Sequence, residues 1–232
     1  MKLAIMQPYF LPYIGYFQLI AAVDQFVIYD NIEYTKKGWI NRNRMLQNNK
    51  DVLFSLALKK ASDHLHIQQR EIAEDFNYQK LLNQIKGSYR RAPYFDQTFP
   101  LIEEIITHKD PNLFHFLKHS IIKICKHLDL KTEIKTSSEI DIDHTLTSEN
   151  KVLALCNELK AETYINAIGG VNLYSKEAFR RNHIDLKFIK PKPFHYPQFG
   201  SEFMPWLSIM DVMMFNPIKT IQTNISTNYE LI

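Results

Sequence analysis

The chain is poor in glycine and cysteine, with 6 Gly and 2 Cys in 232 residues. So few glycines leave no material for repeats or long flexible linkers. Two thiols cannot staple a disulfide framework. Cys125 and Cys156 fall among aliphatic residues in helical patterns and read as buried thiols of a reducing compartment. No Gly-x-Ser-x-Gly, Walker loop, Gly-x-Gly-x-x-Gly or Cys-x-x-Cys pattern occurs, so the familiar nucleophile, phosphate-loop, dinucleotide and thiol-pair motifs are missing. Apolar runs are too short and too interrupted to span a bilayer, and no membrane insertion is expected. A strand-like segment begins at Lys2, ahead of which no signal peptide fits, so a cytoplasmic location is expected. Charge of one sign is also scarce. The net charge is +3, with basic residues dispersed as pairs: Lys36-Lys37, Lys59-Lys60, Arg90-Arg91 and Arg180-Arg181. A nucleic-acid partner would call for a basic stripe, which is absent; a small anionic ligand needs only two or three such groups. Nothing specifies a cofactor or an oligomeric state.

What is present is apolar and aromatic: 45% hydrophobic residues, with 12 Tyr and 15 Phe. Length and composition suit a single α/β domain over residues 1–232. "KLAIMQ" reads as a buried strand, "YIGYFQLIAAV" as a helix of about three turns, and "QFVIYD" as a second strand, making a parallel βαβ unit. "GWINRNRML" and "DVLFSLAL" flank Asn48-Asn49, a hairpin signal. Three helices then form a helical subdomain at about residues 76–129, the last capped by Asp110 with Pro111 at its first position. "TEIKTSSEI" and "ETYINAIGG" carry strands on either side of a helix that Thr147 caps. "SKEAFRRN" is a short helix, "IDLKFIK" a strand, "PKPFHYPQFG" a proline-broken loop and "PWLSIMDVMMF" a closing helix. The alternation predicts an α/β fold, a mostly parallel Rossmann-like sheet flanked by helices.

Ligands of open parallel sheets sit beyond the carboxyl ends of the strands. Those positions carry Gln7 and Tyr9; Asp30 and Asn31; Ser137, Ser138 and Glu139; and Asn166, Gly169 and Gly170. At the first helix start, Gly15 would let the backbone approach a ligand, and Tyr13 and Tyr16 would offer hydroxyls to an anion. Packing of these rings on the sheet is the alternative. In "YTKKGWINRNRML", Lys36 and Lys37 supply point charges, and Arg42 and Arg44 supply planar forks for phosphate or carboxylate. Strict alternation would place Trp39, Asn41 and Asn43 on one face and Ile40, Arg42 and Arg44 on the other. A solvated hairpin face is the alternative. No metal site is expected. His115 and His119 read as an exposed pair, and "EIDIDH" as an edge strand.

"MQPYFLPYIGYFQLI", "FVIYDNIEYTKKGWINRNRML", "SYRRAPYF", "SSE", "YINAIGG" and "LSIMDVMMFN" occur in an order that strongly resembles the WbqC-like family. "YINAIGG" departs from the family's usual Ser-Gly, with Asn166-Ala167 before the paired glycines. The resemblance implies a bacterial cytoplasmic protein of O-antigen and other surface-polysaccharide biosynthesis. It further implies a glycine or aminoacyl transferase acting on an amino sugar, with a nucleotide sugar or nucleotide as ligand. Such a site must hold a diphosphate, take a proton from an ammonium and stabilise an oxyanion. Asp30 or Glu139 is then the general base, and the tyrosines, lysines and arginines named above bind. A more distant resemblance joins the proline turn and "YIGY" to the H-x-G-H turn of nucleotidyltransferases, with Tyr13 and Tyr16 where that motif has histidines. Two alternatives follow: a nucleotidyltransferase-like, ATP-using enzyme lacking those histidines, or a non-catalytic scaffold of a biosynthetic complex.

Overall fold

The computed structural model describes residues 1–232 apart from Asp63 and Ser201. In chain order the elements begin with β1 (Lys2–Met6), α1 (Ile14–Ala21), β2 (Gln25–Ile28), β3 (Arg42–Gln47), β4 (Lys50–Ser55), α2 (Tyr78–Tyr89), α3 (Phe95–Ile106) and α4 (Leu113–His127). They continue with β5 (Glu133–Thr136), α5 (Ser148–Glu158), β6 (Thr163–Ala167), α6 (Lys176–Arg181), β7 (Asp185–Pro191), α7 (Ile209–Phe215), α8 (Ile218–Thr227) and β8 (Tyr229–Leu231). Six strands form one sheet in the order β5-β2-β1-β6-β7-β8, parallel except for β8. The chain leaves β1 towards β2 and β5, then returns to β1's other side with β6. That reversal is the switch point of a doubly wound Rossmann-like sheet.

Both faces of the sheet are covered, which is why its strands read as nearly continuous apolar runs. Leu3, Ile5, Val27, Tyr164 and Phe188 pack with Val152 and Leu155 of α5 and Phe179 of α6. Ala4, Phe26, Ile28, Ile165 and Ile189 point the other way, into a larger core shared with α1, α4, α7 and α8. Helices α2 and α3 join this same core through Leu82, Ile85 and Ile102. Each fully buried Leu, Ile or Phe there contributes roughly 1.5–3 kcal/mol.

β3 and β4 pair as an antiparallel hairpin, from Arg42 opposite Ser55 to Gln47 opposite Lys50. Asn48 and Asn49 turn it with φ of 52° and 58°, the two positive angles that a tight two-residue hairpin demands.

Local polar chemistry moves several boundaries. Helix α1 spans 8 residues, shorter than the apolar pattern implies. The cap of α4 is Asn112, whose side chain accepts from His115 N; Asp110 instead accepts from Asn112 N one step earlier. "EIDIDH" is not a strand: Ser137–Glu139 make a single 3₁₀ turn, and Asp143 accepts from Thr145 N in a local turn that competes with pairing. α7 starts at Ile209 rather than Pro205, because Ser208 caps it by accepting from Met210 N. His119 is not solvent-exposed like His115; it stacks on His108 at 3.8 Å. Among the described residues, no helix is long and apolar enough to cross a membrane.

Candidate functional site

The loop between β1 and α1 is drawn into shape by its neighbours. Leu11 sits at φ 43°, an uncommon left-handed angle for a bulky residue. Its carbonyl accepts from Asn43 Nδ2 at 2.8 Å and from Ser208 Oγ at 2.7 Å; Asn43 also donates to the Phe10 carbonyl at 3.0 Å. Ile209 N donates to the Pro12 carbonyl at 2.8 Å. The hairpin and the start of α7 thus hold this loop from two sides, and Asn43 spends its amide on that task.

Gly15 has a reason other than close approach by a ligand. A Cβ there would lie 2.4 Å from the Tyr13 ring. Tyr13 folds back over its own helix start, and a side chain at position 15 would require that ring to move. Tyr16 is 3% exposed and donates its hydroxyl to the Gln7 carbonyl at 3.0 Å, so it faces the core. Tyr9 packs on Tyr16 with centroids 5.7 Å apart. Burial raises the pKa of both Tyr9 and Tyr13, which keeps them protonated donors.

Around this loop lies a cleft of about 180 Å³, lined by Tyr9, Pro12, Tyr13, Trp39, Asn43, Arg44 and Trp206. Trp39 has its ring centroid 5.8 Å from Arg42 Cζ and 5.7 Å from Arg44 Cζ. It therefore joins the arginines rather than opposing them. Pairing begins only at Arg42, and the turn before it frees Trp39 from strand alternation. Arg42 donates to the carbonyls of Gly38 and Lys37, folding the Lys36-Lys37 turn against the hairpin. Asn41 accepts from the Tyr34 hydroxyl and donates to the Leu56 carbonyl, both outside the cleft lining. Arg44 pairs with Asp51 at 2.9 Å and donates to the Trp206 carbonyl at 3.2 Å. Its Nε is buried and meets no hydrogen-bond partner among the described residues.

Beyond β2 and β5 the structure gathers a different set. Asp30 is 1% exposed. Its Oδ1 accepts from Ser138 N at 3.0 Å and its Oδ2 from Ser138 Oγ at 2.6 Å. Ser137 Oγ lies 2.7 Å from both Asp30 Oδ1 and Asn31 Oδ1. Asn31 Nδ2 meets His144 Nδ1 at 2.9 Å. Lys151 caps the group, its ammonium 3.2 Å from the Asn31 carbonyl and 5.5 Å from the Tyr29 ring centroid. Burial lowers the Lys151 pKa, and the Asp30 charge opposes that shift. Glu139 points away from this knot, is well exposed, and pairs with Lys118 at 3.6 Å. Near the end of β6, Asn166 is buried: it donates to the Tyr164 hydroxyl and accepts from Ala167 N. Gly170 lies against that amide, where a Cβ would come within 3.3 Å, while Gly169 faces open space.

Two residues outside the expected set complete the picture. Trp206, 60% exposed, holds φ at 61° and stands edge-on to Tyr13 with centroids 6.0 Å apart. Asp211, wholly buried, accepts from Tyr89 at 2.9 Å, Tyr196 at 2.7 Å and Gln198 at 2.8 Å. Burial raises its pKa, and the three donors pull it back down. Tyr89 in turn accepts from Leu46 N at 2.8 Å, so Asp211 ties α2, the hairpin and the proline-rich loop together. An aspartate in the middle of the apolar run "LSIMDVMMF" was the available signal, since a charge there needs buried partners.

The chain aligns with the "Uncharacterized protein Rv1507c" of Mycobacterium tuberculosis, 25% identical over 219 residues that cover 93% of each protein. No solved structure matches it. The sequence pattern of the WbqC-like protein family matches residues 7–223, nearly the whole chain, and this protein belongs to that family.

Proposed function

We propose that the protein is a transferase of bacterial surface-polysaccharide (O-antigen) biosynthesis, which binds a nucleotide sugar in the Tyr9–Trp39–Arg44–Trp206 cleft. The supporting observation is Arg44: a guanidinium with a buried, unpartnered Nε among the described residues, set in a cleft walled by four aromatic rings. Ring faces suit a sugar, and the guanidinium hydrogens that Asp51 and the Trp206 carbonyl leave unused suit a phosphate oxygen. Lys36 and Lys37, on the adjoining turn, and Arg42, at the start of β3, add positive potential. Tyr9 and Tyr13 donate hydrogen bonds to the sugar or to a developing oxyanion.

The reaction is amide formation, with a glycyl or other aminoacyl group moving onto an amino sugar. The sugar nitrogen attacks the carbonyl of an activated acyl donor. The C–N bond forms, the bond to the leaving group breaks, and the amine's proton passes to the departing group. Asp30, with its oxygens engaged by Ser137 and Ser138, holds the strand ends in this reading. Glu139 is the accessible carboxylate. The test is thermal shift and calorimetry with a panel of nucleotide sugars, repeated on Arg44→Ala. Binding that Arg44→Ala weakens by about tenfold supports the reading, as one charge-assisted contact is worth about 1.4 kcal/mol. A panel without any melting shift overturns it.

A further inference from the structure

Behind the Tyr13–Trp206 pair lies a second hollow of about 230 Å³. Tyr13 and Trp206 line it as well as the first cleft, so the two are adjoining compartments divided by one pair of rings. The chemistry of the second is different. Its walls are Phe194, Tyr196, Phe203 and the prolines 191, 193 and 205, with Lys192 and His195 as its polar residues. Phe203 meets Tyr196 edge-on at 5.0 Å, and Tyr196 is fixed by its bond to Asp211 at 2.7 Å. Three prolines and a buried carboxylate anchor thus hold the ring walls in place before any ligand arrives.

We propose that this hollow takes the planar base of a nucleotide whose phosphates reach Arg44 on the other side of the Tyr13–Trp206 pair. The proposal rests on the nucleotide-sugar reading above and adds the part of the ligand that reading leaves unplaced. The volume is sufficient: an apolar cavity of roughly 150 Å³ already takes a benzene ring. A base gains from ring faces by stacking, and its polar edge can meet Lys192 and His195 at the hollow. An aliphatic chain would gain only by burial. Trp206 couples the two compartments, because its carbonyl is held by Arg44 while its ring lines the hollow.

The experiment is calorimetric titration of the full chain with adenosine diphosphate, uridine diphosphate, ribose 5-phosphate, pyrophosphate and an alkyl phosphate. It compares wild type with Phe203→Ala, which removes a wall, and Ile14→Trp, which fills the hollow. At least one nucleoside diphosphate is expected to bind about tenfold more tightly than ribose 5-phosphate. Both variants should erase that advantage and leave pyrophosphate affinity unchanged. Nucleotide affinity that depends on Arg44 but is indifferent to Phe203→Ala and Ile14→Trp overturns the base site and spares the transferase reading. An alkyl phosphate that outcompetes both nucleotides, in a manner sensitive to Phe203, also overturns it in favour of a lipid-like ligand. Failure of every phosphate compound to bind overturns both.

Discussion

Asp30, in the loop beyond β2, and Arg44, on the β3 strand of the hairpin, each bring a charge to the candidate sites, yet their surroundings are opposite. Asp30 is sealed, with both carboxylate oxygens receiving hydrogen bonds from Ser138 and with Ser137 against one of them. Arg44 is walled by rings, shares its charge with Asp51 at the surface, and keeps one buried N–H without a partner among the described residues. A buried charge whose bonding capacity is consumed internally stabilises a fold. A charge with capacity left over, in a hollow, awaits something else. Polar residues at strand ends look alike in sequence, and this difference separates them.

The largest effect should come from breaking the sealed side. Asp30→Ala strands the donors of Ser137 and Ser138, and urea denaturation should show a loss of about 3 kcal/mol. A loss below about 1 kcal/mol would mean that the knot is open to water and the contrast with Arg44 is false. Asp211 supplies the next test, because it is a sealed carboxylate that props up the open cleft. Its folded pKa is raised above 3.8, so its contribution to stability is full below that value and falls as pH rises through the folded pKa. Subtracting urea curves of Asp211→Asn from wild type across that window should reveal this downward slope; a flat difference would contradict it. Tyr16→Phe comes third. It removes one bond to the Gln7 carbonyl and should cost about 1 kcal/mol with ligand affinity unchanged. Trp206→Ala should be the mildest for stability, within about 0.5 kcal/mol, because the ring is exposed. Its affinity for nucleotide sugars should nevertheless fall about tenfold, measured by calorimetry.

The sheet was legible because its strands are buried on both faces and end at polar junctions, as in "KLAIMQ" and "QFVIYD". The hairpin was legible from Asn48-Asn49, whose side chains tolerate positive φ. Helix α8 and strand β8 lie beyond the expected closing helix; Ile218, Ile221 and Ile225 at helical spacing signal α8 alone, and β8 adds at the edge against the direction of its neighbours. That placement depends on where the chain arrives after α8, which no local pattern encodes. Among the site candidates, Tyr9, Tyr13, Trp39 and Arg44 line one cleft. Sequence could not tell that Tyr16 faces the core or that Asn43 and Asn166 are engaged by backbone and neighbour. Those facts depend on partners far along the chain. Trp206 was hidden for a related reason: "PWLSIMDVMMF" reads as helix from Pro205, whereas Ser208 caps α7 and leaves Trp206 outside it.

The pair of hydrogen bonds that Asn43 donates to the carbonyls of Phe10 and Leu11, with Ser208 joining at the second, has a practical corollary for anyone recombining such proteins. Residues 8–13, 40–46 and 206–211 are remote in the chain but mechanically a single part. Swapping one of them from a relative without the other two should yield a misfitted graft, whereas exchanging all three together should transplant the ligand preference intact.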